Sequence, residues 1–351
     1  MYKNSSSGKV RLVLTSLEHD HAWWTMDQIF DQPGAELAAV AECHTHLKEK
    51  FRHRFGEEIK LFDDFRQMLD EVKPDAAVIT APNNEHLGYL KACAARSVHC
   101  FMQKPVSACL ADARLMDAVS RSAGIKFMVN VNALWLPTHQ EMFRQYKAGL
   151  TGPIYKYVSH NGHQGLFGVG VLSEDYIRWM TDPVRNGGGA LADQCTYGLH
   201  YALWMMGRPL TVYAAVNSIK KSWYTSVEDD ALIVLGYKDA AAVMQGSYAW
   251  PSFRTEIQAY GPKGGIRIID DEVVFEEAYS PDEPGKKVTR RIDILPVPPE
   301  RKNGIAYFID CLVNDRPLDI EHTAGFNVLV MEVVDAAYKS VSSGNVVKLE
   351  T

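Results

Sequence analysis

In the first third of the chain the apolar positions follow two alternating patterns. Short runs at Val10–Thr15, Glu36–Ala41, Ala76–Thr80, Val98–Met102 and Lys126–Val131 have the length of strands buried on both faces. Between them, His21–Phe30, Thr45–Phe55, Phe62–Glu71, Glu85–Ser97 and Cys109–Ala123 carry apolar residues at helical spacing. Asp20 stands where the first of these helices would take an N-cap. Strands separated by helices predict a doubly wound parallel sheet. After Val131 the pattern changes. Ile154–His160, Thr211–Ser218, Ala231–Tyr237, Ala241–Tyr248, Thr255–Tyr260 and Ile266–Ile269 are strand-like runs without intervening helices. Turn residues such as Gly261-Pro262-Lys263-Gly264-Gly265 join them, which predicts a largely antiparallel open sheet. Ser280–Pro299 reads as an exposed loop with one edge strand, and Arg301–Asn314 and Glu321–Ser342 as two closing helices. The expectation is an α/β domain over 1–128 and an α+β domain over 129–351, with the C-terminal helix packing back on the first.

Composition narrows the function. The 351 residues are 46% apolar and 23% charged, ordinary for two folded cores. A formal charge of −6 with no Lys/Arg block argues against nucleic acid and anionic membrane as partners. The cysteines, Cys43, Cys93, Cys100, Cys109, Cys195 and Cys311, are scattered without a Cys-x-x-Cys pair, which suggests a reducing compartment. No run reaches membrane-spanning length and no apolar leader opens the chain, so a cytoplasmic location is expected.

The chemistry concentrates between Asn186 and Gly207. Gly187, Gly188 and Gly189 permit a close backbone approach and lead into a helix. On that helix Asp193, Tyr197 and His200 fall at i, i+4 and i+7, so a carboxylate, a phenol and an imidazole share one face. Gln103-Lys104-Pro105 ends an apolar run, where ligands of open α/β sheets bind. Together these segments resemble the Gfo/Idh/MocA family of nicotinamide-dependent oxidoreductases, which carry Glu-Lys-Pro and then Gly-Gly-Gly followed by Asp-x-x-x-His. The Asp-x-x-x-Tyr version resembles the glucose–fructose oxidoreductase and dihydrodiol dehydrogenase branches. The resemblance covers essentially the whole chain. It implies a Rossmann-type first domain and, on the open face of the second sheet, a homodimer or homotetramer interface.

The resemblance also implies roles. Lys104, before a proline that is typically cis in the family, would point at the substrate hydroxyl and stabilise a developing alkoxide. Tyr197 would be the acid–base group, its pKa lowered by the lysine, with Asp193 orienting the substrate or the tyrosine; Asp193 as base with Tyr197 as donor is the alternative. His200 takes the place of another frequent aspartate. Pro82-Asn83-Asn84-Glu85-His86 resembles the family's Pro-Asn-x-x-His turn, with Asn83 on the dinucleotide and His86 capping or packing the next helix. Glu42, ending the second strand, would accept hydrogen bonds from the adenosine ribose and repel a 2′-phosphate, favouring NAD over NADP. Trp135, His163, Trp179, Arg185 and His200 are candidate substrate contacts, with core hydrogen bonding the alternative for His200.

One segment departs from the family. The turn Thr15-Ser16-Leu17-Glu18-His19-Asp20-His21 has none of the glycines of Gly-x-Gly-x-x-Gly. Glu18 sets a carboxylate beside an expected pyrophosphate, a repulsion of about 3–4 kcal/mol at an effective dielectric near 20. His19-Asp20-His21 offers metal-type donors, but adjacent residues rarely converge on one ion, so no metal is expected. The expected function is hydride transfer between NAD and a secondary hydroxyl of a sugar, polyol or related cyclic alcohol. NAD-assisted glycoside cleavage and a non-catalytic sensor on the same fold are the alternatives.

Overall fold

The computed structural model describes residues 8–167, 173–282 and 285–350. They form two compact units. The first comprises residues up to 131 with segments 171–187 and 298–328; the second comprises 132–170, 188–297 and 329–351. A single boundary at residue 128 therefore does not describe the chain, because two later segments return to the first unit. The Gly304–Val313 helix packs on the first strand and first helix of that unit. Of the last helix, Ala324–Ser343, the residues to Val328 belong to the first unit and those from Leu329 to the second.

The first unit holds a parallel sheet of β1 (Val10–Thr15), β2 (Ala35–Ala41), β3 (Lys60–Phe62), β4 (Ala76–Ile79), β5 (His99–Gln103) and β6 (Phe127–Asn130). Its order is β3-β2-β1-β4-β5-β6, the doubly wound order with the sequence reversing beside β1. β4 and β6 are buried at every position, as their unbroken apolar runs require. Phe62, read as helical, ends β3 instead. The helix begins at Phe65, where the Asp64 carboxylate caps it by accepting the Gln67 N–H at 2.7 Å. Asp20 is no such cap. Its backbone is already helical, and its carboxylate accepts the Ser173 N–H at 2.7 Å.

The second unit holds a nine-stranded mixed sheet. Its strands are β7 (Lys156–Gly162), β8 (Thr211–Asn217), β9 (Asp230–Gly236), β10 (Ala241–Ser247), β11 (Arg254–Gly261), β12 (Gly264–Ile269), β13 (Glu272–Glu277), β14 (Thr289–Ile292) and β15 (Val347–Lys348). All neighbours are antiparallel except β7 and β10. The helix Cys195–Met206 lies across β7, β9 and β10. Gly198 permits this approach: a Cβ there would strike the Ser159 hydroxyl and Met244.

Several histidines are locked in these cores. Burial holds the His139 imidazole, 1% exposed, down to about 4, and pushes His86 in the same direction. An unfolded histidine takes its proton near 6.5, so these groups contribute stability above that pH and lose it as pH falls towards 4. The urea-unfolding free energy should fall over this window. His139→Gln should flatten the fall by up to about 3 kcal/mol at pH 4; equal slopes in both proteins would remove His139 as a cause.

Candidate active site

In the first unit, the turn after β1 takes the conformation that glycine normally supplies. Ser16 sits at φ 66°, a left-handed backbone costing about 1 kcal/mol for a residue with a Cβ. Its surroundings hold it there: the Thr80 hydroxyl donates to the carbonyls of Thr15 and Ser16 at 2.9 and 2.8 Å, and the Ser16 N–H reaches the Ala41 carbonyl at 3.1 Å. The Leu17 N–H donates to Glu42 at 2.7 Å. The other Glu42 oxygen accepts the His44 N–H at 2.8 Å and lies 2.6 Å from the His44 Nδ1. Glu42 thus organises the turn as well as ending β2.

Glu18 is not left facing an anion unaided. Arg185, brought in on segment 171–187, contacts both Glu18 oxygens at 3.1 and 3.3 Å and Glu85 at 3.3 Å. Burial raises the Glu85 carboxyl against the pull of Arg185. Asn83 donates to the Asn186 carbonyl and side-chain oxygens at 2.9 and 2.8 Å, tying the same segment to the turn that Pro82 opens after β4. Trp179 is 1% exposed and packs 5.2 Å from His19, which also lies 4.8 Å from Tyr176. Its place is the core of the first unit, which leaves no surface for the substrate contact expected of it. Burial, then the charges of His21, Lys104 and His86, holds His19 well below its ordinary pKa.

His86 is fully buried with Nδ1 3.0 Å from the Val106 carbonyl and Nε2 2.9 Å from that of Ala81, so it joins the segments after β4 and β5. Gln103 ends β5 within 3.3 Å of the Asn130 amide and 3.4 Å of the Thr25 hydroxyl. Lys104 follows, 6% exposed, joined to Pro105 by a cis peptide bond. The turn suits a dinucleotide on two observations: Ser16 holds the left-handed backbone, and the buried Asn83 side-chain oxygen has no hydrogen-bond partner among the described residues.

In the second unit the helix face is built from its start. The Glu228 carboxylate accepts the N–H groups of Gly189 and Leu191 at 2.9 and 3.1 Å and the Tyr338 hydroxyl at 2.8 Å, and its carbonyl accepts the Ala190 N–H at 3.0 Å. The glycines are needed because protein crowds them. A Cβ on Gly187 would strike Ala108, one on Gly188 the Tyr338 hydroxyl, and one on Gly189 the Glu228 carbonyl. The helical stretch Ala190–Asp193 then leads into Cys195–Met206.

Asp193 is 7% exposed, and one of its oxygens accepts the Tyr248 hydroxyl at 2.8 Å and the Gln194 amide at 2.5 Å. Gln194 in turn accepts from Asn161 at 2.6 Å and lies 3.4 Å from His163, whose ring is 5.4 Å from that of Tyr248. Tyr197 is half-buried one turn on. His200 is buried, its Nδ1 2.7 Å from the Thr196 carbonyl of its own helix. Trp135 is buried in a short helical turn, Asn132–Trp135. The second unit therefore groups Asp193 and His163 through Gln194 and Tyr248. Neither of those two partners stood out in the sequence; Tyr248 is marked there only as the end of a strand-like run.

The fold and this paired set of fingerprints define an oxidoreductase of the nicotinamide type. Residues 23–131 match the oxidoreductase family, NAD-binding Rossmann fold (GFO_IDH_MocA), and residues 139–267 match the GFO/IDH/MocA C-terminal domain. The chain belongs to the Gfo/Idh/MocA family and is an NAD(P)-dependent oxidoreductase. It is 25% identical to the D-apiose dehydrogenase of Paraburkholderia graminis, over 96% of this chain and 87% of that protein. Against the myo-inositol 2-dehydrogenase of Thermotoga maritima it is 22% identical, over 73% and 74%. Its fold matches an oxidoreductase from Agrobacterium radiobacter solved with NAD+, L-tartaric acid and magnesium, with TM-score 0.81 and 19% identity over 97% and 98% of the two chains. Among the described residues no helix is long and apolar enough to cross a membrane.

The crowding at Gly188, with its φ of 146°, makes a direct forecast. Gly188→Ala should destabilise the second unit by about 2–3 kcal/mol through strain and the clash with Tyr338. Urea unfolding followed by tryptophan fluorescence reads this, and an unchanged midpoint would show that the turn can move.

Proposed function

We propose that the protein transfers hydride between NAD and a secondary hydroxyl of a sugar, polyol or related cyclic alcohol, as a cytoplasmic homodimer or homotetramer. The observation that carries the reading is the Asp193–Tyr197 helix face, fixed at its start by Glu228 and at Asp193 by Tyr248. The named activities of the D-apiose and myo-inositol dehydrogenases support the choice of substrate class.

Bound NAD supplies the hydride acceptor. Tyr197 takes the hydroxyl proton, and Asp193, whose orientation Tyr248 and Gln194 restrict, aligns the hydroxyl. Lys104 stabilises the negative charge that develops on the oxygen. His163 and Trp135 contact the substrate, while His200 braces the helix through the Thr196 carbonyl. Ser16, Leu17, Glu18, His19, Pro82, Asn83, His86 and Gln103 form or support the dinucleotide turn. Glu42, a buried carboxylate at the end of β2, disfavours a 2′-phosphate and so selects NAD over NADP. Arg185 serves the cofactor rather than the substrate, because it answers the charge of Glu18 and offers a guanidinium to the pyrophosphate.

Lys104→Met should stay folded with NADH affinity within a few-fold, while turnover falls about 100-fold or more. Tyr197→Phe should nearly abolish turnover; if Asp193→Asn is crippling and Tyr197→Phe mild, the two roles exchange. Single-turnover measurements on a sugar and polyol panel decide this.

The charge pairing predicts dinucleotide affinity separately. Arg185→Met leaves Glu18 and Glu85 uncompensated and should weaken NADH binding about tenfold, and Glu18→Gln should tighten it about as much, both effects shrinking in high salt. Calorimetry tests both; identical affinities in all three proteins would place the pyrophosphate elsewhere.

A further inference from the structure

Three consecutive residues of the first unit bring a carboxylate, a thiol and an imidazole together, and the proposed reaction uses only the carboxylate. Glu42, Cys43 and His44 form the turn between β2 and the helix Thr45–Phe55, outside the alternation of the strand. Their donor atoms all lie within 4.8 Å of one another, the one such group of His, Cys, Asp or Glu side chains among the described residues. The His44 Nδ1 is its centre, 2.6 Å from one Glu42 oxygen and 3.7 Å from the Cys43 sulfur. One proton on that nitrogen cannot hold both neighbours at full strength, whereas a metal ion takes all three donors.

The spacing fits an ion of the zinc type. Nitrogen and sulfur ligands of a tetrahedral Zn2+ stand about 3.6 Å apart, close to the separation present. The nitrogen–oxygen pair has to open to about 3.3 Å, and the His44 side chain, 44% exposed, has room to turn that far. The carboxylate is oriented in advance: one oxygen accepts the Leu17 N–H at 2.7 Å and the other the His44 N–H at 2.8 Å. Cys43 and His44 are exposed, which gives an ion its way in. His46, its ring 5.8 Å from that of His44, is held by Asp175 at 2.8 Å instead, so the fourth position falls to water. A thiolate and an imidazole beside one carboxylate suit Zn2+ and not Mg2+ or Ca2+, which take oxygen donors.

We propose that Glu42, Cys43 and His44 bind Zn2+, and that the bound ion and NAD exclude one another. On binding, the thiol proton of Cys43 and the Nδ1 proton of His44 pass to solvent. Leu17 already holds one Glu42 oxygen, so an ion on the other leaves none for a ribose hydroxyl. It also sets a hydrated cation where the adenosine would lie. The exclusion rests on the proposed contact of Glu42 with the adenosine ribose; the metal site itself does not.

The test uses the full chain without an affinity tag, titrated with Zn2+ by calorimetry and with Co2+ by absorption, first in the absence of dinucleotide. The wild type should bind one Zn2+ at micromolar concentration, and millimolar Mg2+ should not displace it. Co2+ should give a thiolate-to-metal band in the near ultraviolet that Cys43→Ser abolishes. Cys43→Ser and His44→Gln should each weaken Zn2+ binding about 30-fold or more. Without metal, Cys43→Ser should bind NADH as the wild type does. NADH titrations at fixed Zn2+ should then give an apparent Kd that rises with the ion in the wild type and stays flat in Cys43→Ser. No Zn2+ binding, equal binding of Mg2+, or Zn2+ binding indifferent to both substitutions overturns the site. Zn2+ and NADH bound together overturns the exclusion. If the wild type binds Zn2+ as expected but no NADH even without metal, the dinucleotide reading of Glu42 fails and the exclusion with it, while the metal site stands.

Discussion

The Glu228 carboxylate is the contact on which the Asp193–Tyr197 helix face of the second unit depends. A helix leaves its first N–H groups unpaired, and a turn of three glycines has no side chains with which to satisfy them. Glu228 meets two of these donors with one oxygen and takes a third hydrogen bond there from Tyr338. The register of the helix is thereby set, and with it the positions of Asp193 and Tyr197. The neighbouring Asp229 holds the loop that carries Trp223. Two consecutive acids therefore hold the start of the Asp193–Tyr197 helix face and the loop that carries Trp223.

The turn after β1 solves a different problem. A glycine-rich turn provides left-handed backbone without cost and without charge; here the backbone is kept and the residue is not. Ser16 stays left-handed because Thr80, Ala41 and Glu42 satisfy the turn from the ends of two strands, β4 and β2. Each of these bonds contributes about 1 kcal/mol, enough to offset the local strain of one Cβ. The charge of Glu18 cannot be removed in this way and is instead paired. Arg185 is 167 residues away in sequence and bridges it to Glu85.

This separation explains what the sequence revealed and what it concealed. Buried parallel strands announce themselves as unbroken apolar runs, so β4, β5 and the fingerprints at their ends were legible. β13, Glu272–Glu277, was not: its flanking acids mask the apolar core, and its turn from β12 uses Asp270 and Asp271 at φ 50° and 59° in place of the usual Asn-Gly. Trp179 and Arg185 adjoin the glycine turn in the chain, which suggested the substrate, but segment 171–187 folds into the first unit. Asp20 had the residue type of a cap and spends its carboxylate on Ser173. Tyr248 could not be selected from a strand with ordinary alternation. Pairings between distant residues leave no periodic trace.

Asp193 gains its specificity from such pairings. A carboxylate on a helix face can rotate, and an aligning group needs one rotamer. Tyr248 and Gln194 both donate to the same Asp193 oxygen, which fixes the carboxylate plane and reserves the second oxygen's orientation. Gln194 is itself held by Asn161, and Asn161 by the Thr255 hydroxyl at 2.9 Å, so the constraint runs from β11 through β7 to the helix. The sheet is thus more than a platform for the helix: two of its strands, with Tyr248 just beyond β10, determine how one carboxylate is aimed. Sequence fingerprints mark Asp193 and Tyr197, but the geometry around them is supplied by strands that carry no fingerprint at all.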